Sequence, residues 1–196
     1  MTIELNDVLL AGEVCTLSLL AHEGQLTCIT GATAARRTRW LHVLMGFEMP
    51  VTGYVSVDGE PLTGGCIAHL RRHIAFAPAS LDTIGEIVRY EPPVATDIFS
   101  LRTNRRIKAS TDDIDEECRK TGATGQKALL LSVAALRRTP VLVVDSPEGA
   151  SANYLHNLAT QRGCTVIAAT DDPTVLSQAD CVVEIVPTSQ MPQLQA

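Results

Sequence analysis

The chain has 196 residues, of which 45% are apolar and 19% charged, so it suits one globular domain and is too apolar for a disordered chain. Its formal net charge of −6 argues against general binding to nucleic acid or to an anionic membrane surface. No apolar run approaches the roughly 20 residues that span a bilayer, and the first residues lack the pattern of a signal peptide. The six cysteines form no C-x-x-C pair, so we expect a reduced protein in the cytoplasm.

Buried strands alternate with helices along the chain, and this order predicts a mostly parallel sheet covered on both faces. A small antiparallel β part is expected near the N-terminus, where short strands and the turn Asp58-Gly59 occur. Residues 80–121 are polar and helical in parts. In chain order, the predicted elements are a strand at 26–30, a helix at 38–47, strands at 54–57 and 73–77, a helix at 127–138, a strand at 141–145, a helix at about 152–162, and strands at 164–169 and 181–186.

One segment after the first buried strand has the position of a phosphate-binding loop. Gly31 to Thr38 lies between a strand and a helix, as the pattern G-x-x-x-x-G-K-[ST] does. Residues 40–62 then match the ABC ATPase pattern TLLxxLxGLxxPxxGxVxxDGxxL at the same spacing. Segments similar to the Q-loop, signature and Walker B motifs follow in the family's order at Ile74–Ser80, Gly122–Gln126 and Asp145–Pro147. The chain therefore resembles the ATP-binding domains of ABC transporters, a P-loop NTPase family.

This resemblance implies an α/β fold, P-loop NTPase-like, with a mostly parallel sheet flanked by helices. It also implies one domain at 1–188, with a shortened helical insertion at about 80–124 and a polar tail at 189–196. As a family member, the chain would form an ABC-type homo- or heterodimer and would join a membrane permease. Since it has no predicted span of its own, such a partner would hold it at the inner membrane.

The resemblance assigns nucleotide contacts to Gly31, Arg36, Arg37, Thr38 and Asp145. Arg36 stands at a glycine position, and Arg37 stands where the family has lysine, although a planar guanidinium does not replace a compact ammonium. Thr38 and Asp145 retain the hydroxyl and carboxylate that would support Mg²⁺ with bound nucleotide. The alternative interpretation is that Thr38 only caps a helix and that Asp145 only pairs with Arg37.

The residues that would carry out hydrolysis differ from the family pattern. Ser146 stands where the family has its general base, a glutamate, and a serine hydroxyl does not accept a proton from water at neutral pH. Asp171 stands where the family has its switch histidine. The signature-like segment keeps Gly125 and Gln126. Glu148 follows two residues after Ser146 and is expected to point elsewhere.

These substitutions predict a pseudo-ATPase, an ABC-type subunit that binds ATP and Mg²⁺ weakly or not at all and acts as a partner or regulatory subunit. Two alternatives stay open at this point. One is a divergent but working ABC ATPase that drives transport, supported by Thr38, Asp145 and Gln126. The other is a non-hydrolytic module in which Arg36 and Arg37 bind an anion or nucleotide at a helix N-terminus; against it, both arginines can pair with acidic neighbours.

Overall fold

The fold is described from a computed structural model, which defines residues 1–82 and 109–185. The strands are β1 (Ile3–Leu9), β2 (Leu17–Ala21), β3 (Leu26–Thr30), β4 (Thr52–Val57), β5 (Glu60–Pro61), β6 (Ile74–Ala77), β7 (Val141–Asp145), β8 (Thr165–Ala169) and β9 (Cys181–Glu184). The helices are α1 (Ala34–Leu44), α2 (Ile67–Arg72), α3 (Thr111–Thr121), α4 (Gly125–Leu136), α5 (Ala152–Arg162) and α6 (Pro173–Ser177).

Two sheets form the framework, and the predicted fold class is confirmed. The larger sheet has five parallel strands in the order β6-β7-β8-β3-β9, and the smaller has four antiparallel strands in the order β2-β1-β4-β5. Every residue of β7 and β8 is buried, as expected for central strands that are covered on both faces.

The parallel sheet separates two apolar layers. On one face it packs against α1 and the antiparallel sheet, around Trp40 and Leu41. On the other face it packs against α4, α5 and α6, around Leu131 and Leu155. Trp40 is 1% exposed, so its indole belongs to the core.

Helix α1 begins four residues before the predicted start at Thr38. Its N-cap is Thr33, whose hydroxyl oxygen accepts a hydrogen bond from the backbone N–H of Arg36. The expected capping role of Thr38 is therefore wrong, because Thr38 lies inside the helix, where its hydroxyl oxygen is 3.0 Å from the carbonyl oxygen of Ala34. The prediction was wrong because the family pattern has a loop at residues 34–37, whereas in this chain the N-cap Thr33 begins a helix at Ala34.

The other differences concern element boundaries and short helices. Helix α4 starts at Gly125, two residues before the predicted start, and the short helices α2 and α6 were not predicted. Of the insertion predicted at about 80–124, α3 and the turn into α4 are described, while residues 83–108 lie outside the described residues. The tail predicted at 189–196 also lies outside them.

A buried carboxylate joins α3 to α5. Glu117 is 4% exposed and accepts hydrogen bonds from the hydroxyl of Tyr154 and from Arg162 Nη2, the latter at 3.1 Å. Lys120 Nζ lies 3.6 Å from the same carboxyl group. Burial works to raise the pKa of Glu117, but these donors and cations outweigh it and lower the pKa. Burial, and then the hydrogen bond and negative charge of Glu117, raise the pKa of Tyr154 and outweigh the opposing charge of Arg162.

Candidate functional site

The predicted site residues meet at the carboxyl ends of three adjacent parallel strands. Strands β7, β8 and β3 lie side by side, so the residues that follow each of them share one edge of the sheet. This edge carries Asp145 at the end of β7, Asp171 shortly after β8, and Gly31 directly after β3. In open α/β sheets this edge is the usual place for a ligand.

Thr38 and Asp145 are in direct contact, although 107 residues separate them in the chain. The Thr38 hydroxyl donates to Asp145 Oδ2 at 2.7 Å, and Asp145 is 3% exposed. A hydroxyl and a carboxylate are oxygen ligands of the kind that Mg²⁺ takes, so the pair fits two positions of a divalent cation site. In residues 1–82 and 109–185, no group of three or more His, Cys, Asp or Glu side chains has the geometry to hold a metal on its own.

Arg37 pairs with Asp171, so the expected pairing of Arg37 with Asp145 is wrong. Arg37 Nη1 donates to Asp171 Oδ2 and to the carbonyl oxygens of Gly31 and Ala32, the last two at 3.2 and 3.1 Å. The Arg37 side chain is only 9% exposed, whereas that of Asp171 is 52% exposed. The buried guanidinium therefore lies behind a carboxylate that faces solvent.

Asp171 also accepts two hydrogen bonds from the end of β3. The Thr30 hydroxyl donates to its Oδ1 at 2.9 Å, and the Gly31 backbone N–H donates to the same oxygen at 3.0 Å. Partial burial opposes ionisation of Asp171, but these two bonds and the Arg37 charge outweigh it and lower its pKa. Asp171 is therefore held as an anion at the mouth of the loop.

The other two arginines of α1 also have acidic partners. Arg36 forms a two-point pair with Glu13, whose side chain is 8% exposed, and its Nε lies 3.1 Å from Glu13 Oε1. Arg39 donates from Nε to both carboxylate oxygens of Glu48 at 2.9 Å. All three arginines at this end of α1 are thus neutralised by the chain itself.

Three backbone N–H groups at the loop before α1 are already paired and are closed to a phosphate group as the structure stands. A phosphate-binding loop presents unpaired N–H donors to the anion. Here the Arg36 N–H is taken by the Thr33 hydroxyl, the Arg37 N–H by the Thr33 carbonyl at 3.0 Å, and the Gly31 N–H by Asp171. The paired donors that would have held an oxyanion therefore already contact acceptors of this chain.

Gly31 has a packing role that does not depend on any ligand. Its φ is +78°, and a Cβ at this position would lie 2.7 Å from the carbonyl oxygen of Ile185, next to β9. A side chain would clash with backbone and would also adopt a strained left-handed conformation. The requirement for glycine at this position is accordingly explained by the close approach of the chain after β9.

Ser146, at the general-base position, is held by its neighbours in a left-handed conformation with a φ of +50°. Its hydroxyl donates to Asp145 Oδ1 at 2.9 Å, and its carbonyl accepts from Lys127 Nζ at 2.9 Å. Glu148, the next carboxylate along the chain, accepts from the backbone N–H of Thr124 at 3.0 Å. The place of a base is thus occupied by a donor hydroxyl with an ammonium group close by.

The signature-like segment contacts the residues that follow β7. Gly125 opens α4 and Gln126 is exposed on its first turn, while Lys127 and Thr124 make the two contacts described above. Gly122 packs so closely that a Cβ there would lie 2.3 Å from the carbonyl oxygen of Ala150. The structure therefore brings the signature-like segment next to Asp145 and Ser146 without placing Gln126 against either of them.

Two hollows differ in size and place. The one that borders Asp145, Ser146, Lys127 and Glu148 has a volume of about 10 Å³, which is enough for one water molecule. A larger groove of about 620 Å³ lies at the opposite edge of the sheet, between Arg138, Arg162 and Cys164. The larger groove is thus remote from the candidate site at the carboxyl edge of the sheet.

The expectation that Arg36 and Arg37 pair with acidic neighbours is confirmed, but sequence reasoning did not identify the partners and missed Lys127. Glu13 lies outside every motif and Glu48 falls on an unspecified position of the family pattern, so no pattern connected them with Arg36 and Arg39. Lys127 was assigned only to a helix, although its position directly after Gln126 links it to the signature-like segment. The pairing of Arg37 with Asp171 joins residues 134 positions apart, and only the strand order brings them together.

Comparison with known proteins gives several similar sequences, although no protein-family model matches the chain. The lipoprotein-releasing system ATP-binding protein LolD of Bordetella pertussis is 26% identical over 189 residues, which cover 84% of this chain and 80% of LolD. The macrolide export ATP-binding/permease protein MacB of Salmonella typhimurium is 23% identical over 86% of this chain and 29% of MacB. The ATP-dependent lipid A-core flippase of Ralstonia nicotianae is 24% identical over 69% of this chain.

The chain spans about a quarter of the length of the flippases it matches. None of the helices in the described part of the chain is long and apolar enough to cross a membrane.

Solved structures of ABC cassettes share the fold. The dimeric bacterial ABC transporter cassette MJ0796 is 17% identical, with a TM-score of 0.65 over 93% of this chain and 94% of the cassette. A bacterial Atm1-family ABC exporter with ATP bound is 16% identical, with a TM-score of 0.67 over 94% of this chain and 37% of the exporter. The chain therefore has the fold of the ATP-binding cassettes of ABC transporters, and the resemblance found in its sequence is confirmed.

Proposed function

We propose that this chain is a non-hydrolytic ABC-type subunit, a pseudo-ATPase that serves as a partner or regulatory subunit of a transport complex. The observation that carries the proposal is the environment of Ser146. General-base catalysis needs a group that can take a proton from the attacking water. At this position the Ser146 hydroxyl already donates to Asp145, and the nearby Lys127 is a cation.

The neighbouring carboxylate does not supply the missing base in this arrangement. Glu148 is turned to Thr124 and holds the segment that leads into α4. Asp171, at the switch position, is an acceptor whose charge would repel a terminal phosphate. The loss of a positioned base typically lowers the rate by about 10²–10⁴, so turnover of ATP is expected to be at background.

The partner is inferred from the relatives. LolD is an ATP-binding protein of a release system, MacB joins an ATP-binding part to a permease, and the cassette MJ0796 is dimeric. We propose that this chain pairs with an ABC-type subunit and, through a permease, is held at the cytoplasmic face of the inner membrane. In this proposal, residues 1–188 act as one ABC-like domain.

Phosphate release from Mg-ATP tests the proposal. Wild type and Asp145→Asn are measured side by side with the same preparation protocol, and both are expected to release phosphate at the same background rate. A rate in wild type that Asp145→Asn abolishes would establish hydrolysis by this chain and end the proposal. Ser146→Glu provides a matched variant at the base position. It is also expected to stay at background because Asp171 still pairs with Arg37 and the N–H groups of Gly31, Arg36 and Arg37 remain paired.

A working ATPase is the second candidate, favoured by the contact between Thr38 and Asp145. This pair keeps the oxygen ligands and the closeness that a nucleotide-bound Mg²⁺ would use. The same assay decides between the two candidates when it is repeated in the presence of any permease and ABC-type subunit that are found to bind this chain. Asp145-dependent release that appears only with a partner would favour the working ATPase.

A further inference from the structure

A buried cation at the head of α1 is separated from solvent by a carboxylate. The Arg37 side chain is 9% exposed, and the Asp171 side chain, which contacts its Nη1, is 52% exposed. An anion from solution can reach the guanidinium at this side only by taking the place of the carboxylate.

The donors around Asp171 are those of an oxyanion site. Its carboxylate receives a guanidinium N–H from Arg37, the Gly31 backbone N–H at 3.0 Å and the Thr30 hydroxyl at 2.9 Å. Charged donors, backbone amides and hydroxyls are the groups that hold phosphate oxygens in proteins. The chain thus retains a donor set for an oxyanion, but one of its own side chains fills it.

A side chain that is part of the same chain competes strongly with a free ligand. Even a group on a short flexible linker acts at an effective concentration on the order of millimolar, and Asp171 is further oriented by Thr30 and Gly31. Phosphate at millimolar concentration or below would therefore not displace it. Removal of the Asp171 charge takes away this competitor, while the donors of Arg37, Gly31 and Thr30 stay in place.

We infer that Asp171 is an internal ligand that occupies an oxyanion site at Arg37, and that neutralising this carboxylate opens the site to a phosphate. The inference rests on the proposed non-hydrolytic function and deepens it by naming the group that blocks the nucleotide. It also explains why Arg37 does not contribute to an anion-binding surface, while Arg36 and Arg39 are paired with Glu13 and Glu48.

Asp171→Asn is the direct test because an amide keeps the size of the side chain and one acceptor oxygen. The melting temperature of the full chain is measured in inorganic phosphate, in ATP without Mg²⁺, and in sodium chloride at equal ionic strength. We expect the variant to bind phosphate at least about tenfold more tightly than wild type, seen as a melting temperature that rises with ligand concentration. The phosphate and ATP arms show whether a free oxyanion suffices or a nucleotide is required.

Glu48→Gln is the matched control. It removes one negative charge beside Arg39, an arginine on the same helix that contacts Glu48 and, at 3.7 Å, Glu13 rather than Asp171. Its melting temperature is expected to respond to phosphate as the wild type does. An equal phosphate response in Glu48→Gln and Asp171→Asn would overturn the inference, because the gain would then reflect net charge alone.

Two further results would also overturn it. One is a folded Asp171→Asn protein whose melting temperature phosphate does not raise beyond the effect of sodium chloride. The other is a wild-type protein that binds phosphate as tightly as the variant. If Asp171→Asn fails to fold in every buffer, Asp171→Ser replaces it, since a hydroxyl also removes the carboxylate charge and can accept from the Gly31 N–H, and the same phosphate response decides.

The two proposals fail by different measurements. Asp145-dependent phosphate release by wild type would end the non-hydrolytic function, whatever Asp171→Asn does. A lack of phosphate binding by folded Asp171→Asn would end the internal-ligand inference and would leave the non-hydrolytic function in place.

Discussion

Arg37 and Glu117 are both buried charged side chains, but they are paired in different ways. Glu117 has a tyrosine hydroxyl and two cations around its carboxylate, and it joins α3 to α5. Arg37 has one carboxylate and two carbonyls on a single nitrogen, and its buried Nε has no partner among the described residues. A buried group whose hydrogen bonds are all formed is typical of a structural role. A buried group with an unpaired polar atom, such as the Arg37 Nε, indicates a position that is not set by stability alone.

Removal of the Glu117 carboxylate is expected to give the largest effect on stability. Glu117→Ala leaves the Tyr154 hydroxyl and Arg162 without their acceptor, which we expect to lower the free energy of unfolding by about 2–3 kcal/mol, below the usual range for a broken buried pair because Arg162 is partly exposed. Urea unfolding measures this change. Glu116→Ala removes a 63% exposed carboxylate from the same helix, and it is the control that should change little.

Tyr154→Phe tests the neutral part of the same network. The change removes one hydroxyl donor while it keeps the aromatic ring, so we expect a loss of about 1 kcal/mol in the free energy of unfolding. Glu117 would then depend on Arg162 and Lys120 alone. A variant as stable as wild type would mean that the hydroxyl contact contributes nothing to the free energy of unfolding. The inferred difference between the pairing of Glu117 and that of Arg37 would then be smaller.

Arg37→Met is expected to cost less than about 1 kcal/mol, because it replaces a buried ion with an apolar side chain and leaves the half-exposed Asp171 to be hydrated. Arg36→Met provides the contrast, since it leaves Glu13 buried without its two-point partner and should cost about 1–3 kcal/mol. Urea unfolding of both variants measures the difference. An order in which Arg37→Met is the more damaging change would assign Arg37 a structural role.

A fall in pH should reduce the contribution of Glu117 to the free energy of unfolding. Its folded pKa is lowered, so the stability it provides is fully present above its unfolded pKa of about 4.3 and is lost as the pH falls through the folded value. The difference in unfolding free energy between wild type and Glu117→Gln is therefore expected to be constant from pH 7 to about 5 and to shrink below about pH 4. Urea titrations at several pH values measure this trend, and a gap that widens in acid would contradict it.

The sequence predicted the framework of the fold better than the contacts of the site. Strand β7 and helix α5 agree with their predicted ranges because apolar runs and helical spacing are local signals. The family pattern also suggested that Thr38 and Asp145 belong to one site, and they are in contact at 2.7 Å. The strand and the helix follow from local periodicity, whereas the joint site of Thr38 and Asp145 is what the family resemblance implied.

The start of α1 and the partner of Arg37 could not be predicted in the same way. The helix start depends on Thr33, whose capping hydroxyl lies inside a segment that resembles a loop motif. The partner of Arg37 depends on Asp171, which reaches it only because β8 lies beside β3 in the sheet. Contacts between distant residues that depend on strand order leave no trace in local sequence.

Trp40, the single tryptophan of the chain, lies one turn of α1 after Arg37 and is 1% exposed. Its indole N–H is buried without a hydrogen-bond partner among the described residues. The tryptophan fluorescence of this protein therefore comes from one buried indole close to the loop before α1. Trp40 can thus serve as an intrinsic fluorescence probe of that loop. Changes in emission on unfolding or on exchange of Asp171 can be recorded with an unlabelled protein.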